Sequence, residues 1–175
     1  GHLFGSSLDI ALKLKKRIKE EVGVMCSVGL GPNKLLAKMA AGMQKPDGLT
    51  VLDLTDVPDK MWPLPVRELF GVGSRLEKRL RDLNIHTIGE LARYPLPVLR
   101  KRFGLLGHVL FLSANGIDYS PVDPRSLEKV KSIGHQITLP RDYRGYSQIE
   151  VVILELREIV CRRVRLGGFV GRTVH

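Results

Sequence analysis

Residues 27–48 read SVGLGPNKLLAKMAAGMQKPDG, an apolar run entering a glycine-proline turn, then a helix-forming stretch, then a basic exit loop. The order strand, glycine turn, helix suits a phosphate loop, because free N–H groups and the helix dipole at a helix start attract anions. Neither GxxxxGK[ST] nor GxGxxG is present, however. Asn33 reads more simply as an N-cap, with Leu35, Leu36, Met39, Ala40 and Met43 turning one face toward a core. Val24–Leu30 before the turn reads as a strand buried on both faces, and Leu49–Leu54 after Pro46-Asp47-Gly48 as a second. A helix from Ser7 as cap to about Glu21 precedes them, with Ala11, Leu14, Ile18 and Val22 on one face. Strand-helix-strand spacing predicts an α/β layer.

The 175 residues carry a net charge of +10, and the excess is uneven. Residues 63–117 hold 9 basic against 4 acidic side chains, the most cationic stretch. A polyanion such as nucleic acid is the natural partner for that excess, a solvated basic surface the plainer alternative. No apolar run approaches the roughly 20 residues that span a bilayer, so no membrane association is expected. The two cysteines, Cys26 and Cys161, lack metal-site spacing and read as reduced core residues of an intracellular protein.

From Thr55 to Gly116 the pattern changes to short helices broken by Pro and Gly. Ser74 with Glu77, and Thr87 with Glu90, have the spacing of capping boxes. A helix over Leu105–Asn115 is stopped at Gly116. Within this region, Leu69-Phe70-Gly71-Val72-Gly73-Ser74-Arg75-Leu76-Glu77-Lys78-Arg79-Leu80 has the form of a helix-hairpin-helix: a helix over 66–70, a Gly-Val-Gly hairpin, and a helix with Leu76, Leu80 and Leu83 inward. Such a hairpin points N–H groups at a phosphate, which needs permissive backbone angles and close approach. Arg75, Lys78, Arg79 and Arg81 surround it with positive charge, so it grips sugar-phosphate without reading sequence. A structural turn with solvated arginines is the other reading.

Residues 118–130 hold two prolines and no periodic apolar face, as a linker would. Beyond them Ser132–Leu139 reads as a strand, and Ser147 with Glu150 caps a long helix bearing Ile149, Val152, Ile153, Leu156 and Val160. Gly167-Gly168 end that helix, and Phe169–Val174 reads as a further strand, a β-α-β pattern. Catalytic constellations are thin. The aspartates at 9, 47, 53, 56 and 59 sit at caps, turns and strand ends, and the histidines at 2, 86, 108, 135 and 175 are scattered. No catalytic residue and no metal ligand is nominated. Lys45, before Pro46-Asp47-Gly48, is the better candidate, because the turn could hold its ammonium over an anion; a solvated loop lysine is the alternative.

Taken together, these residues resemble a Y-family translesion DNA polymerase of the UmuC/DinB (ImpB/MucB/SamB) type. Ser27–Ala40 with Gln44-Lys45-Pro46-Asp47-Gly48 is similar to the family's late palm motif, Leu64–Leu91 to its helix-hairpin-helix thumb, and Lys131-Ser132-Ile133-Gly134-His135 to the first strand of its little finger. The resemblance implies an α+β multidomain chain: a partial α/β palm at 1–62, an all-α thumb at 63–117, a linker at 118–130 and a partial β-α-β little finger at 131–175. It implies template-directed nucleotidyl transfer past damaged bases, with two magnesium ions held by three carboxylates. Lys45 would contact the incoming deoxynucleoside triphosphate. Gly71, Val72, Gly73, Arg75 and Lys78 would meet primer-template DNA at the thumb, and Lys131, Ser132, His135 and Thr138 in the little finger.

The family's metal-binding carboxylates have no counterpart here, and Asp9 falls after the segment that would supply them. Gly42 stands where the family often has Ser or Asp, and His135 where Arg is common. The chain is therefore read as a piece of a bacterial, cytoplasmic polymerase, inactive alone, whose parent also meets a sliding clamp. The main rival is a non-enzymatic helix-hairpin-helix DNA-binding module. A base-excision glycosylase fits less well, because Asp82 lies on the hairpin helix itself and no following acid is well placed.

Overall fold

Ser6, rather than Ser7, opens the first helix, α1 (Ser7–Val22): the Asp9 N–H donates to Ser6 Oγ at 3.2 Å and the Ser6 N–H to Asp9 Oδ2 at 2.9 Å. This reciprocal pair satisfies donors that a helix start leaves free. The computed structural model describes residues 4–127 and 130–173. They fall into two units, one reaching to Val122 and one from Asp123 onward.

In the first unit β1 (Val28–Leu30) and β2 (Leu49–Val51) pair in parallel, Val28 opposite Leu49 and Leu30 opposite Val51, with α2 (Lys34–Met43) connecting them. Asn33 caps α2 as expected, accepting the Leu36 N–H at 2.8 Å. The strands are shorter than Val24–Leu30 and Leu49–Leu54. Among the described residues each has a single neighbour, and the ladder closes where the Leu52 N–H reaches Leu30 O at 2.9 Å. Asp53 then accepts the Leu54 N–H and starts a 3-10 turn at Leu54–Asp56. Burial on both faces is not seen either: Val28, Gly29 and Leu30 are half-buried, and Val51 is exposed.

A π-turn at Val57–Met61 and a 3-10 turn at Val66–Glu68 lead into α3 (Ser74–Arg81), α4 (Ile88–Arg93), α5 (Leu96–Phe103) and α6 (Leu105–Ala114). One apolar core runs from Leu36 and Met39 on α2 through Leu52, Met61 and Leu69 to Leu80, Leu91, Leu99 and Leu110. Polar ties cross it: Trp62 Nε1 donates to Ala114 O at 3.0 Å, and Asn33 Nδ2 to Gly116 O at 2.8 Å. The expected helix over 66–70 is only the 3-10 turn, since Leu69 leaves helical geometry to enter the hairpin. The Ser74–Glu77 capping box is absent, because Gly73 is the N-cap and Ser74 already lies inside α3. Glu77 instead accepts Arg81 Nη2 at 2.9 Å. The Thr87–Glu90 box is formed.

The second unit holds a 3-10 turn at Pro124–Leu127 and one long helix, α7 (Tyr146–Leu166), capped at Gly145 rather than Ser147 and closed at Gly167. The β-α-β expectation is corrected here. Among the described residues neither 132–139 nor 169–173 forms a strand, and Val174 and His175 lie outside them, as do Glu128 and Lys129 of the linker. A strand persists only against a hydrogen-bonded neighbour, and neither segment has one, so Ile137, Phe169 and Val170 stay exposed. No described residue of α7 is buried.

Candidate nucleic-acid interface

The exit of α2 is shaped by two side chains remote in sequence. Ser27 Oγ donates to Gln44 O and accepts the Gly48 N–H, both at 3.1 Å. From α1, Lys15 Nζ reaches Asp47 O and Asp47 Oδ1 at 2.6 Å, Cys26 O at 2.8 Å and Gly48 O at 3.1 Å. The Lys15 ammonium, hydrogen-bonded to the Asp47 carboxylate, holds that carboxyl below its ordinary range. Lys45 is exposed on the same turn and takes part in no ion pair or hydrogen bond among the described residues. It lines an open groove of about 1190 Å³ with Lys38, Lys60, Glu68 and Phe70. Lys60 is paired with Asp56 at 3.0 Å, and the Lys38 ammonium lies 5.9 Å from the Phe70 ring centroid. Lys45 is thus the groove lysine without a partner. The GLGPNK turn makes no such cradle, since its Asn33 side chain is committed to the α2 N-cap and to Gly116.

The hairpin forms the second surface. Val72 is buried and anchors the loop to the core, while its N–H donates to Leu69 O at 2.9 Å. Gly71 has φ +94°, a conformation a side chain strongly disfavours, whereas Gly73 at φ −88° is ordinary extended backbone. Among the described residues the Gly71 and Gly73 N–H groups meet no protein acceptor. Arg75 and Lys78 on α3 are exposed and without an ion-pair partner there. Arg79 and Arg81 are committed elsewhere: Arg79 stacks 4.8 Å from the Phe103 ring centroid, and Arg81 pairs with Glu77.

Lys131, Ser132, His135 and Thr138 are all exposed on extended chain of the second unit. Arg163 of α7 ties that segment down, donating to Gly134 O at 2.9 Å and lying 3.4 Å from His135 Nδ1. Lys15 and Arg163 are the residues that sequence reasoning passed over. Both look like surface cations on amphipathic helices, and their farthest acceptors, Gly48 O for Lys15 and Gly134 O for Arg163, lie 33 and 29 residues away. No group of three or more His, Cys, Asp or Glu among the described residues could hold a metal ion. The described residues therefore do not fit a magnesium site.

The sequence model of the impB/mucB/samB family matches residues 1–42, the IMS family HHH motif matches residues 55–85, and the impB/mucB/samB family C-terminal domain matches residues 130–175. The chain belongs to the impB/mucB/samB family. Its relatives in that family include "DNA polymerase IV" of Pelotomaculum thermopropionicum, 82% identical over 174 residues, which are 99% of this chain and 43% of the relative. "DNA polymerase IV" of Moorella thermoacetica is 72% identical over 98% of this chain and 43% of its own length. "DNA polymerase IV 2" of Bacillus subtilis is 49% identical with the same coverage. The chain thus spans less than half the length of these relatives. Family matches on both sides of the hairpin motif do not favour a stand-alone helix-hairpin-helix module. No helix among the described residues is long and apolar enough to cross a membrane.

Proposed function

We propose that this chain is the part of a translesion DNA polymerase that grips primer-template DNA and contacts the incoming deoxynucleoside triphosphate. In this reading 1–62 is late palm, 63–117 the thumb, 118–130 a linker and 131–175 the start of the little finger. The observation that carries it is the hairpin: a left-handed Gly71, unpaired N–H groups at Gly71 and Gly73, and the uncommitted cations Arg75 and Lys78 beside them. These are the parts a phosphate-gripping loop needs, and they take hold of backbone without reading bases. Lys45 serves the triphosphate, and Lys131, Ser132, His135 and Thr138 lie along the template strand. The bond-making chemistry and its magnesium belong to other residues of the longer protein, so this chain alone gives no primer extension. A sliding clamp and a bacterial cytoplasmic setting rest on the family resemblance.

Titration of duplex DNA against salt tests the grip. With about four to six phosphates neutralised, log affinity falls against log salt with a slope of roughly −4 to −5. Arg75→Ala with Lys78→Ala flattens that slope by about 2, one unit per lost phosphate contact. Gly71→Val and Gly73→Val weaken binding alike across unrelated duplex sequences. A slope near zero, or full affinity in both glycine variants, sinks the thumb assignment.

A further inference from the structure

Lys15 differs from the other lysines of α1. Its side chain is only 15% exposed, whereas Lys13, Lys16 and Lys19 are exposed. An ammonium has three N–H donors, and here they converge on four acceptors: Cys26 O, Asp47 O, Asp47 Oδ1 and Gly48 O. Two of these belong to Asp47, a non-glycine residue at φ +55°, so one cation fixes both the carboxylate and the carbonyl of a residue whose backbone has few reasons to stay there. Ser27 fixes the same turn from its other side through Gln44 and Gly48. Between these two clamps stands Lys45, exposed, unpartnered and lining the groove. The Lys15 ammonium also neutralises the Asp47 carboxylate, which would otherwise stand two residues from Lys45 and repel a polyanion approaching it.

We propose that Lys15 is a positioning residue for the nucleotide contact: by clamping Asp47 and Gly48 and masking the Asp47 charge, it presents Lys45 to the triphosphate. The proposal rests on the reading of Lys45 as that contact. Lys15 itself touches no substrate; it acts through the turn. Charge-assisted bonds of this kind are the strong ones, and losing them frees the turn and unmasks a carboxylate together.

Single-nucleotide incorporation by the full-length protein is the test. Lys15→Met raises KM for the nucleotide roughly tenfold, the scale of one charge-assisted contact, and leaves the affinity for primer-template DNA unchanged. Lys15→Met placed on Lys45→Ala adds no further rise in KM, because the two act through one contact. Asp47→Asn, which removes the masked charge without emptying a buried site, restores part of the loss in the Lys15→Met background; its folding is the safer of the two. A Lys15→Met protein with lowered thermal stability but unchanged KM, while Lys45→Ala raises KM, makes Lys15 a structural strut and overturns the proposal. Unchanged KM in Lys45→Ala overturns the nucleotide-contact reading itself. If Lys15→Met does not fold, Lys15→Gln, which removes the charge but keeps an amide donor, decides in its place: a KM shift with unaltered DNA affinity supports positioning, and none refutes it.

Discussion

Glu90 shows how one exposed side chain can stabilise the start of a helix. Its carboxylate accepts the His86 N–H at 2.6 Å and the Thr87 N–H at 2.9 Å, while Thr87 Oγ1 accepts the Glu90 N–H at 3.1 Å. The bonds from His86 and Thr87 favour the ionised form and hold the carboxyl below its ordinary value of about 4.5. A depressed folded value means stability that is present above the unfolded value and lost as pH falls through the folded one. Glu90→Gln should therefore be less stable than the parent chain at neutral pH, and the gap should close as pH falls below about 4.5. Thr87→Ala removes the other half of the box and should cost about 1 kcal/mol at any pH in that range. Urea unfolding at a series of pH values measures both; a Glu90→Gln deficit that persists unchanged at acid pH would contradict the carboxylate's role.

The α2 element was largely legible beforehand, because Asn33 and the 35-36-39-40 face are local signals. The neighbouring strands were less so, since pairing ends a strand and pairing is not local: Val24–Ser27 have strand-like residues but no ladder partner among the described residues. The hairpin was readable from its glycines, yet their roles differ in a way only backbone angles reveal, Gly71 being left-handed and Gly73 extended. Lys45 was legible as a candidate because it sits beside a turn signal. Lys15 was not, because its acceptors lie across the fold. Contact between β1 and α2 gives a prediction at the same scale. A Cβ at Gly29 would run into the Ala37 carbonyl and the Ala41 N–H, both backbone, whereas a Cβ at Gly42 would meet nothing within 4 Å. Gly29→Ala should cost about 2 kcal/mol or more by forcing strand and helix apart. Gly42→Ala should gain roughly 0.5 kcal/mol by removing backbone freedom from the unfolded chain. Thermal unfolding of the two variants should thus shift in opposite directions, and a neutral Gly29→Ala would mean that the strand packs less closely than it does here.

Across the whole molecule burial is lopsided. The core cluster lies between Leu35 and Ala114, so the unit ending at Val122 has an interior, while the described residues from Asp123 onward bury none of their side chains. Helix α7 is 21 residues long and amphipathic, but Val151, Ile153, Leu154 and Ile159 are exposed. An isolated helix of that length is marginal in water, since most helical stability comes from packing an apolar face. Local opening free energies follow burial, from near zero for poorly packed segments to the global value in the core. Amide exchange should therefore divide the chain: slow at Leu36, Leu80, Leu91 and Leu99, and fast through α7, by a factor of about 100 or more at neutral pH. Truncation after Val122 should leave the unfolding midpoint of the first unit within a few degrees of its value in the full chain, because it removes no core residue. Exchange in α7 as slow as in α4, or loss of the first unit's cooperative transition on truncation, would show that the second unit contributes stability beyond what its own packing supplies.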